Sequence, residues 1–232
     1  MIAPTGFFAD YGCHVRIRGH AQALQARGHQ VRIVTYPGGR EVPGLCTVRP
    51  PWRRHDQEMP VGSSWRKFGL DFLLALTVWQ TAQRWSPDLI HAYLHEGALL
   101  GALLPVRRRP PVVFDFQGSL VGERLDHRFL APRSPLLPAW RRLERWIDQR
   151  PAAILASSQH ARELLITAFR VPAARVTTLP DSVDAAQFRP ASAFSVHELA
   201  QLRAQLGLPP GRPLVVYLGL LASYQGIDLL LA

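Results

Sequence analysis

Lysine is almost missing from this chain of 232 residues: Lys67 is the single lysine among 27 basic residues, and all the others are arginines. A P-loop needs the pattern G-x-x-x-x-G-K-[ST], in which the lysine reaches the nucleotide phosphates. Lys67 follows Arg66 and precedes Phe68, so the chain has no such loop. The dinucleotide-binding pattern G-x-G-x-x-G is also absent. The sequence therefore excludes the standard P-loop NTPases and NAD-dependent Rossmann enzymes.

Cysteine and long apolar runs are scarce as well. The two cysteines, Cys13 and Cys46, make neither a disulfide framework nor a cluster of metal ligands. The longest apolar stretch, Phe72 to Trp79, is far shorter than the roughly 20 residues that span a bilayer. Met1 is not followed by the basic start and apolar run of a secretory signal. We therefore expect a protein of the reducing cytoplasm without a transmembrane helix.

Apolar residues and positive charge are what the chain does contain. It is 47% hydrophobic and 19% charged, which predicts a folded protein. The net charge is +10, and residues 1–150 carry +9 of it in four basic clusters, Trp52–Arg54, Trp65–Lys67, Arg107–Arg109 and Trp140–Trp146. Arginine beside tryptophan suits an anionic membrane surface or nucleic acid. The alternative is a solvated face whose tryptophans pack inward. Without a recognition-helix motif, we expect no nucleic-acid partner.

Short apolar runs alternate with helical stretches along the chain. The predicted strands are Gln30–Tyr36, Leu45–Val48, Asp88–Ala92, Pro111–Phe116, Ala152–Ala156, Arg175–Leu179 and Leu214–Leu218. The predicted helices are Cys13–Arg27, Ser64–Trp85, Gly97–Leu104, Pro138–Asp148, Gln159–Phe169 and Ser195–Leu206. Strands that alternate with helices indicate an α/β fold with a doubly wound parallel sheet.

The first turn of the chain has the composition of an anion-binding loop. Only Met1–Pro4 precedes the loop Thr5–Gly12, so we expect the first strand to be a truncated stub. The loop leads into a helix at Cys13, where glycine and free backbone N–H groups lie at a positive helix end. That geometry suits a phosphate, although every strand–turn–helix unit needs a similar turn.

Five segments, in order along the chain, resemble GT-B glycosyltransferases of the family 4 type. They are Ala21–Val31, with a helix end of the form L-x-x-x-G-H-x-V; Pro87–His95, similar to P-D-x-h-H; Ala156–Gln159, a strand end with serine; Leu179–Pro190, similar to V-P-N-G-V-D-x-x-x-F-x-P; and Val215–Leu230, which resembles the opening of the second domain. The resemblance covers nearly the whole chain.

This resemblance implies a domain organisation and an activity. Residues 1–190 would form the Rossmann-like N-terminal domain, 191–212 a linker and helix, and 213–232 the start of a truncated donor-binding domain. The family transfers a sugar with retention from a nucleoside-diphosphate sugar to an acceptor. We expect a lipid-linked or cell-envelope glycan as acceptor, a peripheral place at the inner membrane face, and neither a metal nor another cofactor. We expect the 232-residue chain alone to be inactive, because a cleft enzyme needs both walls.

The resemblance also assigns candidate site residues. On the sugar-donor side, the phosphate loop would contribute Asp10, Tyr11 and Gly12, and the second domain Gly219, Gln225 and Gly226. The acceptor-side candidates are His91, His95, Asp115, Gln117 and Glu123. Each histidine could donate to a sugar hydroxyl or phosphate, or be a hydrogen-bonded structural residue. Asp115 and Glu123 could pair as acid and base, or cap a helix and meet an arginine.

Three positions depart from the family pattern. Many relatives have a histidine where this chain has Gln117, and an arginine and a lysine that clamp the diphosphate where it has Leu220 and Gln225. Glutamine and leucine cannot supply positive charge to a diphosphate. Two functions therefore stay open: a glycosyltransferase, or a catalytically silent module that binds a sugar nucleotide or a partner.

Overall fold

The computed structural model describes residues 1–51, 66–209, 212–219, 221 and 226–231, and it divides the chain into two compact units. The first unit is Met1–Asp181 and the second is Ser182–Ala232. The boundary predicted at residue 190 stays a prediction, and the first unit as observed ends at Asp181.

The first unit is built on one sheet of seven parallel strands. The strands are β1 (Ile2–Ala3), β2 (Arg32–Thr35), β3 (Cys46–Val48), β4 (Ile90–Tyr93), β5 (Val112–Phe116), β6 (Ala153–Ala156) and β7 (Val176–Thr178). Their order in the sheet is β3-β2-β1-β4-β5-β6-β7. This order confirms the predicted doubly wound parallel sheet, with its reversal between β1 and β4.

The helices follow the strands as the alternating pattern predicts. They are α1 (Gly12–Ala26), α2 (Arg66–Trp85), α3 (Leu94–Leu103), α4 (Leu120–Asp126), α5 (Leu137–Asp148), α6 (Gln159–Thr167), α7 (Val196–Gln205) and α8 (Ile227–Leu231). The sequence did not predict α4, which has only seven residues and is capped by the Ser119 hydroxyl, an acceptor from Gly122 N–H at 3.0 Å. The start of α3 also differs, at Leu94 instead of Gly97, so His95 lies in a helix.

Strand alternation divides the apolar residues between the two faces of the sheet. Phe114 and Phe116 of β5 belong to the larger core, which also contains residues of α2, α3, α5 and α6. Ala3, Ile33 and Tyr93 belong to a smaller core under α1. Asp115, between the two phenylalanines, points to the α1 face because successive side chains of a strand alternate. The sheet therefore places a carboxylate directly beneath α1.

The strand predicted at Leu214–Leu218 is wrong. This segment of the second unit has no strand structure, and its side chains are exposed, Val215 by 76% and Leu218 by 91%. A buried parallel strand needs neighbouring strands for its hydrogen bonds. Among the described residues of the second unit there is no other strand that could pair with it.

The basic clusters have different environments. Trp140 and Trp146 on α5 pack against the larger core, and the guanidinium groups of Arg124 and Arg150 lie 4.1 and 4.5 Å from their ring centroids. The tryptophans of this cluster therefore pack inward. The first cluster and Trp65 lie outside the described residues. No helix in the described part of the chain has the length and hydropathy of a membrane span.

Candidate functional site

The candidate site lies at the carboxyl ends of β1 and β4, where the strand order reverses. Ligands of open α/β sheets bind in the crevice that forms at such a point. β1 leads through residues 4–11 into α1, and β4 leads directly into α3. The predicted phosphate loop is therefore at the place where the topology provides a crevice.

The amino end of α1 presents an uncapped positive end. Tyr11 occupies the N-cap position but makes no side-chain cap, and the first turn contains no acidic residue. Gly12 begins the helix, and no neighbouring atom lies within 4 Å of the position a Cβ would take. Backbone N–H groups at the start of a 15-residue helix attract anions. The arrangement is suited to a diphosphate.

Asp10, just before this helix end, is paired with Arg40. Its carboxylate accepts a hydrogen bond from Arg40 at 2.6 Å. That bond holds the pKa of Asp10 below its usual value. Arg40 therefore offsets the negative charge that Asp10 would otherwise present to a phosphate.

His14, which is not among the residues predicted from the sequence, holds the loop in place. Its ring is buried, Nδ1 lies 2.8 Å from the N–H of Ala9, and Nε2 lies 2.5 Å from Oγ1 of Thr5. Burial lowers the pKa of His14, so the neutral ring can accept from one neighbour and bond the other. The sequence feature that could have indicated this role is a histidine in the first helical turn after a glycine-containing loop.

The loop after β2 braces the loop after β1. Phe8 and Arg40 exchange two backbone hydrogen bonds, of 3.1 and 2.8 Å, and Arg49 donates to the carbonyl of Phe7 at 2.7 Å. A Cβ on Gly39 would lie 2.4 Å from backbone atoms of Phe7. Gly39 also has a φ of +87°, so only glycine fits both the conformation and the contact.

Arg16 is the centre of a buried network beneath the loop. Its Nε donates to both carboxylate oxygens of Asp115 at 3.0 Å, while Nη1 donates to Asp181 and Nη2 to the carbonyl of Leu179, each at 2.8 Å. Burial would raise the pKa of Asp115, but the nearby imidazole of His91 and the hydrogen-bonded guanidinium group of Arg16 hold it below its usual value. Asp115 is therefore an ionised partner of an arginine, one of the two roles that the sequence left open.

A layer of aromatic side chains surrounds this ion pair. The rings of His20 and His91 stack with centroids 5.4 Å apart, and His91 and Tyr93 stack at 4.5 Å. Nδ1 of His20 lies 2.9 Å from the hydroxyl of Tyr93. Burial lowers the pKa of His91, and it lowers the pKa of His20 to about 4. Both rings are neutral near pH 7, and His91 lies within β4, not at its end.

Gln117, which follows β5, and Glu123, in α4, are the remaining acceptor-side candidates. Nε2 of Gln117 donates to Asp115 at 3.2 Å, and the first turn of α1 carries the thiol of Cys13. Burial raises the pKa of that thiol to about 12, and the charges of Asp115 and Glu123 add to the effect. Gln117 is therefore bonded to the carboxylate beneath α1, and the charge of Glu123 acts on the first turn of that helix.

His95 lies on the other face of the sheet. Its ring packs edge-on against Phe114 and Phe116, with centroids 5.2 and 5.5 Å away. The structure therefore separates His95 from His91 and Asp115, although the three were predicted to share the acceptor side.

The second-unit candidates have little described geometry. Gly219 lies in the exposed irregular segment, and Gly226 has a φ of +68° just before α8. Gln225 and Leu220 lie outside the described residues.

The larger cavity described, about 590 Å³, opens at the opposite edge of the sheet. Met1, Arg32 and Asp88, which lie at the amino ends of β1, β2 and β4, line it. The amino group of Met1 donates to the carbonyl of Arg32 at 2.6 Å, and burial lowers its pKa to about 5. Because ligands of doubly wound sheets bind at the carboxyl ends, we place the candidate site at α1 and not in this cavity.

Solved structures share the fold. The sucrose-phosphate synthase of Thermosynechococcus elongatus superposes with a TM-score of 0.68 at 17% identity, over 99% of this chain and 58% of that protein. HepE of Anabaena, solved in complex with UDP-glucose, gives 0.53 at 16% identity, over 89% of this chain and 49% of HepE. A glycosyltransferase of Rickettsia africae gives 0.54 at 11% identity, over 91% and 50%. The chain thus spans 49 to 58% of these proteins.

No curated protein matches the sequence significantly. A family model, in contrast, matches most of the first unit, including α1 with its amino end, the sheet from β2 to β7, and Asp181. The predicted resemblance to GT-B glycosyltransferases of the family 4 type is confirmed by this match together with the shared fold. Because the model matches residues 11–181, the chain belongs to the family of glycosyl transferase 4-like domains.

Proposed function

We propose that this chain is the acceptor-side part of an enzyme that transfers a sugar from a nucleoside-diphosphate sugar. The observation that carries the proposal is the uncapped amino end of α1 at the reversal point of the sheet, in a chain of this family. The backbone N–H groups at that end would bind the diphosphate and stabilise the charge that develops when it leaves. HepE, which shares the fold, was solved with UDP-glucose, and this supports a nucleotide sugar as donor.

We further propose that transfer retains the configuration of the sugar and needs no metal, as the resemblance to the family 4 type implies. The second wall of the cleft would come from a donor-binding domain that begins near residue 213. Since the solved relatives are about twice as long, we expect no turnover from the 232-residue chain alone.

The acceptor is proposed to be a lipid-linked or cell-envelope glycan, reached from the cytoplasmic face of the membrane. Phe68, Phe72 and Trp79 support this, because they are exposed and their spacing of four and seven residues places them on one face of α2. The exposed arginines Arg107–Arg109 could meet anionic headgroups. An aromatic face of this kind is typical of helices that lie in a membrane interface.

Liposome flotation tests the lipid part. We expect the chain to float with vesicles that contain anionic lipid at low salt, and the double substitution F72Q/W79Q to reduce the bound fraction at least threefold. L202Q, which removes an exposed leucine from α7, is the matched control. Absence of retention by the unsubstituted chain would overturn the membrane proposal and leave sugar transfer untouched.

The competing function is a silent binding module, favoured by Gln117 at the end of β5 and by Leu220 and Gln225. Thermal unfolding of the protein that contains the complete second domain, against a panel of nucleotide sugars, detects binding because a ligand of the native state raises Tm. Product analysis with the stabilising sugar then separates the two functions. Transfer supports the enzyme, stabilisation with neither transfer nor hydrolysis supports the silent module, and no stabilisation by any nucleotide sugar would contradict both.

A further inference from the structure

A second cluster of polar side chains lies away from the candidate site, between α3 and α5. His95 comes from the first turn of α3, and Glu144 and Asp148 are one turn apart on α5. Their side chains are 6, 1 and 0% exposed. Nε2 of His95 lies 3.2 Å from Oδ1 of Asp148 and 3.8 Å from Oε1 of Glu144. One ligand atom from each residue thus lies within 4.8 Å of the other two.

Part of the hydrogen-bonding capacity of this cluster is unused. In the described part of the chain, neither oxygen of Asp148 nor Nε2 of His95 has a hydrogen bond of acceptable geometry. A buried carboxylate that makes no well-aligned hydrogen bond is unfavourable, because it has lost water and has, among the described side chains, only the imidazole 3.2 Å away as a polar neighbour. Nε2 of His95 and the two oxygens of Asp148 can therefore still bond a further polar group or an ion.

Lys67 and Arg124 pair with a different carboxylate. Lys67 and Arg124 lie 3.4 and 3.8 Å from Glu96, the neighbouring carboxylate. Within the described ranges, His95 is the single basic side chain that comes within 4.0 Å of Glu144 or Asp148. Two carboxylates one helical turn apart repel each other. A divalent cation would match their charge.

We propose that His95, Glu144 and Asp148 bind one divalent transition-metal ion, with Zn²⁺ preferred over Mn²⁺. One imidazole nitrogen with two carboxylate oxygens is a donor set that both ions accept. Ligands about 2.0–2.1 Å from a tetrahedral zinc lie roughly 3.4 Å from one another, and the observed distances of 3.2 and 3.8 Å bracket that value.

A second group of similar composition, His20, His91 and Asp115, is a weaker candidate. Asp115 already receives two hydrogen bonds from Arg16, and Nδ1 of His20 is bonded to the hydroxyl of Tyr93. A metal there would have to displace a guanidinium group. The cluster around His95 has no such competitor among the described residues.

The ion would have a structural role. Oε1 of Glu144 also accepts from the N–H of Leu120 at 2.6 Å, so this side chain holds the start of α4. A metal would therefore link α3, α5 and the turn that follows β5, which carries Gln117. The site lies on the opposite face of the sheet from α1, and the inference does not depend on the proposed sugar transfer.

Metal uptake by the 232-residue chain tests the proposal directly. The chain is stripped with a chelator, equilibrated with ZnCl₂ or MnCl₂, freed of loose metal by gel filtration and analysed by elemental mass spectrometry. We expect one Zn²⁺ per chain, and a Tm about 5–10 °C higher at a free Zn²⁺ concentration near 100 times Kd. Less than 0.2 Zn²⁺ per chain, with an unchanged Tm, would mean that a proton on His95 replaces the ion and would overturn the proposal.

Two substitutions locate the ion. H95Q and D148N should each weaken Zn²⁺ binding at least tenfold. H160Q, which removes an exposed histidine from α6, and H20Q, which removes a ligand of the competing group, should leave it unchanged. Since the unsubstituted chain provides its own comparison with and without metal, the test does not depend on the folding of the variants. Equal retention by H95Q, D148N and the unsubstituted chain would place the ion elsewhere and contradict the assignment.

Discussion

Arg16 connects three parts of the first unit through a single guanidinium group. It belongs to the helix that carries the candidate phosphate site, it pairs with Asp115 in the sheet, and it holds Leu179 and Asp181 at the end of the unit. The planar fork of arginine is suited to such divided bonding, whereas the ammonium group of lysine is not. Arg16 thus helps to fix the position of the helix that carries the candidate phosphate site, together with the buried Ile17 and Ala21.

Substitution of Arg16 should therefore be costly. R16A removes the partner of a fully buried carboxylate, and we expect the free energy of unfolding to fall by about 3–5 kcal/mol, with a smaller loss for R16K. R27K, at an exposed arginine of the same chain segment, should change it by less than about 0.5 kcal/mol. Urea unfolding measures all three. An R16A variant as stable as the R27K variant would show that the network contributes no net stability.

His20 should make the first unit sensitive to acid. Its folded pKa of about 4 lies below the usual 6.5, so between these values the unfolded chain binds more protons. The stabilisation is complete above pH 6.5 and is lost as the pH falls toward 4, by up to about 3 kcal/mol. H20Q should flatten this part of the profile, which urea unfolding at several pH values would measure. A slope identical to that of the unsubstituted chain would assign the effect to other groups.

At the scale of elements, two loops form the candidate site together. The loop after β1 supplies the helix end, and the loop after β2 holds it through backbone hydrogen bonds and the close approach of Gly39 to Phe7. These contacts hold the loop after β1 in its conformation before a ligand binds. Such preorganisation favours phosphate binding, because ordering a loop upon binding reduces affinity.

Gly39 and Gly44 provide a matched pair of substitutions. Both have a positive φ, of +87° and +81°, but a Cβ would meet backbone at 2.4 Å only at Gly39 and has open space at Gly44. G44A should therefore cost about 1 kcal/mol from backbone strain alone. We expect G39A to cost at least about 2 kcal/mol more, and to weaken phosphate binding. Equal losses in urea unfolding would contradict the proposed contact between the loops.

Some of the strands and helices could be predicted from the sequence and others could not. An apolar run bounded by prolines and Gly118 correctly located β5, and apolar residues at helical spacing followed by Gly28 located α1. The short α4 escaped detection because a hydroxyl cap, not periodicity, defines it. The segment Leu214–Leu218 has the pattern of a strand without a described partner, and pairing is not a local property.

The candidate site was only partly predictable for a related reason. A glycine loop before a helix has a sequence signature, so Gly12 was found. Arg16 and His20 were missed, although their spacing of four residues places them on one face of α1. Their partner Asp115 is 99 residues from Arg16, and no local pattern relates the two. Only the register of the sheet brings them together.

Over the whole molecule, the positive charge and the family match both concentrate in the first unit. Most of the net charge of +10 lies in residues 1–150, and the first unit contains the family match. The second unit, from Ser182 onward, contains the segment that resembles the opening of a donor-binding domain. Both observations are consistent with the proposal that the chain is the acceptor-side part of a two-domain transferase.

The chain alone should accordingly lack catalysis. We expect no detectable sugar transfer or nucleotide-sugar hydrolysis by the 232-residue chain, measured by product analysis with UDP-, GDP- and ADP-sugars. The physical reason is that one wall of a cleft cannot exclude water or close around the donor. Turnover by this chain would contradict the proposed two-domain organisation.

The central claim, that the amino end of α1 binds the diphosphate of a nucleotide sugar, can be tested residue by residue. Two-dimensional NMR of the ¹⁵N-labelled chain, titrated with UDP, UDP-glucose and pyrophosphate, reports on each backbone amide. We expect saturable shifts of the amide signals of Gly12 and Cys13 with each ligand, and weaker shifts in a G39A variant. Unchanged signals at these two amides, with saturable shifts elsewhere in the first unit, would contradict this claim.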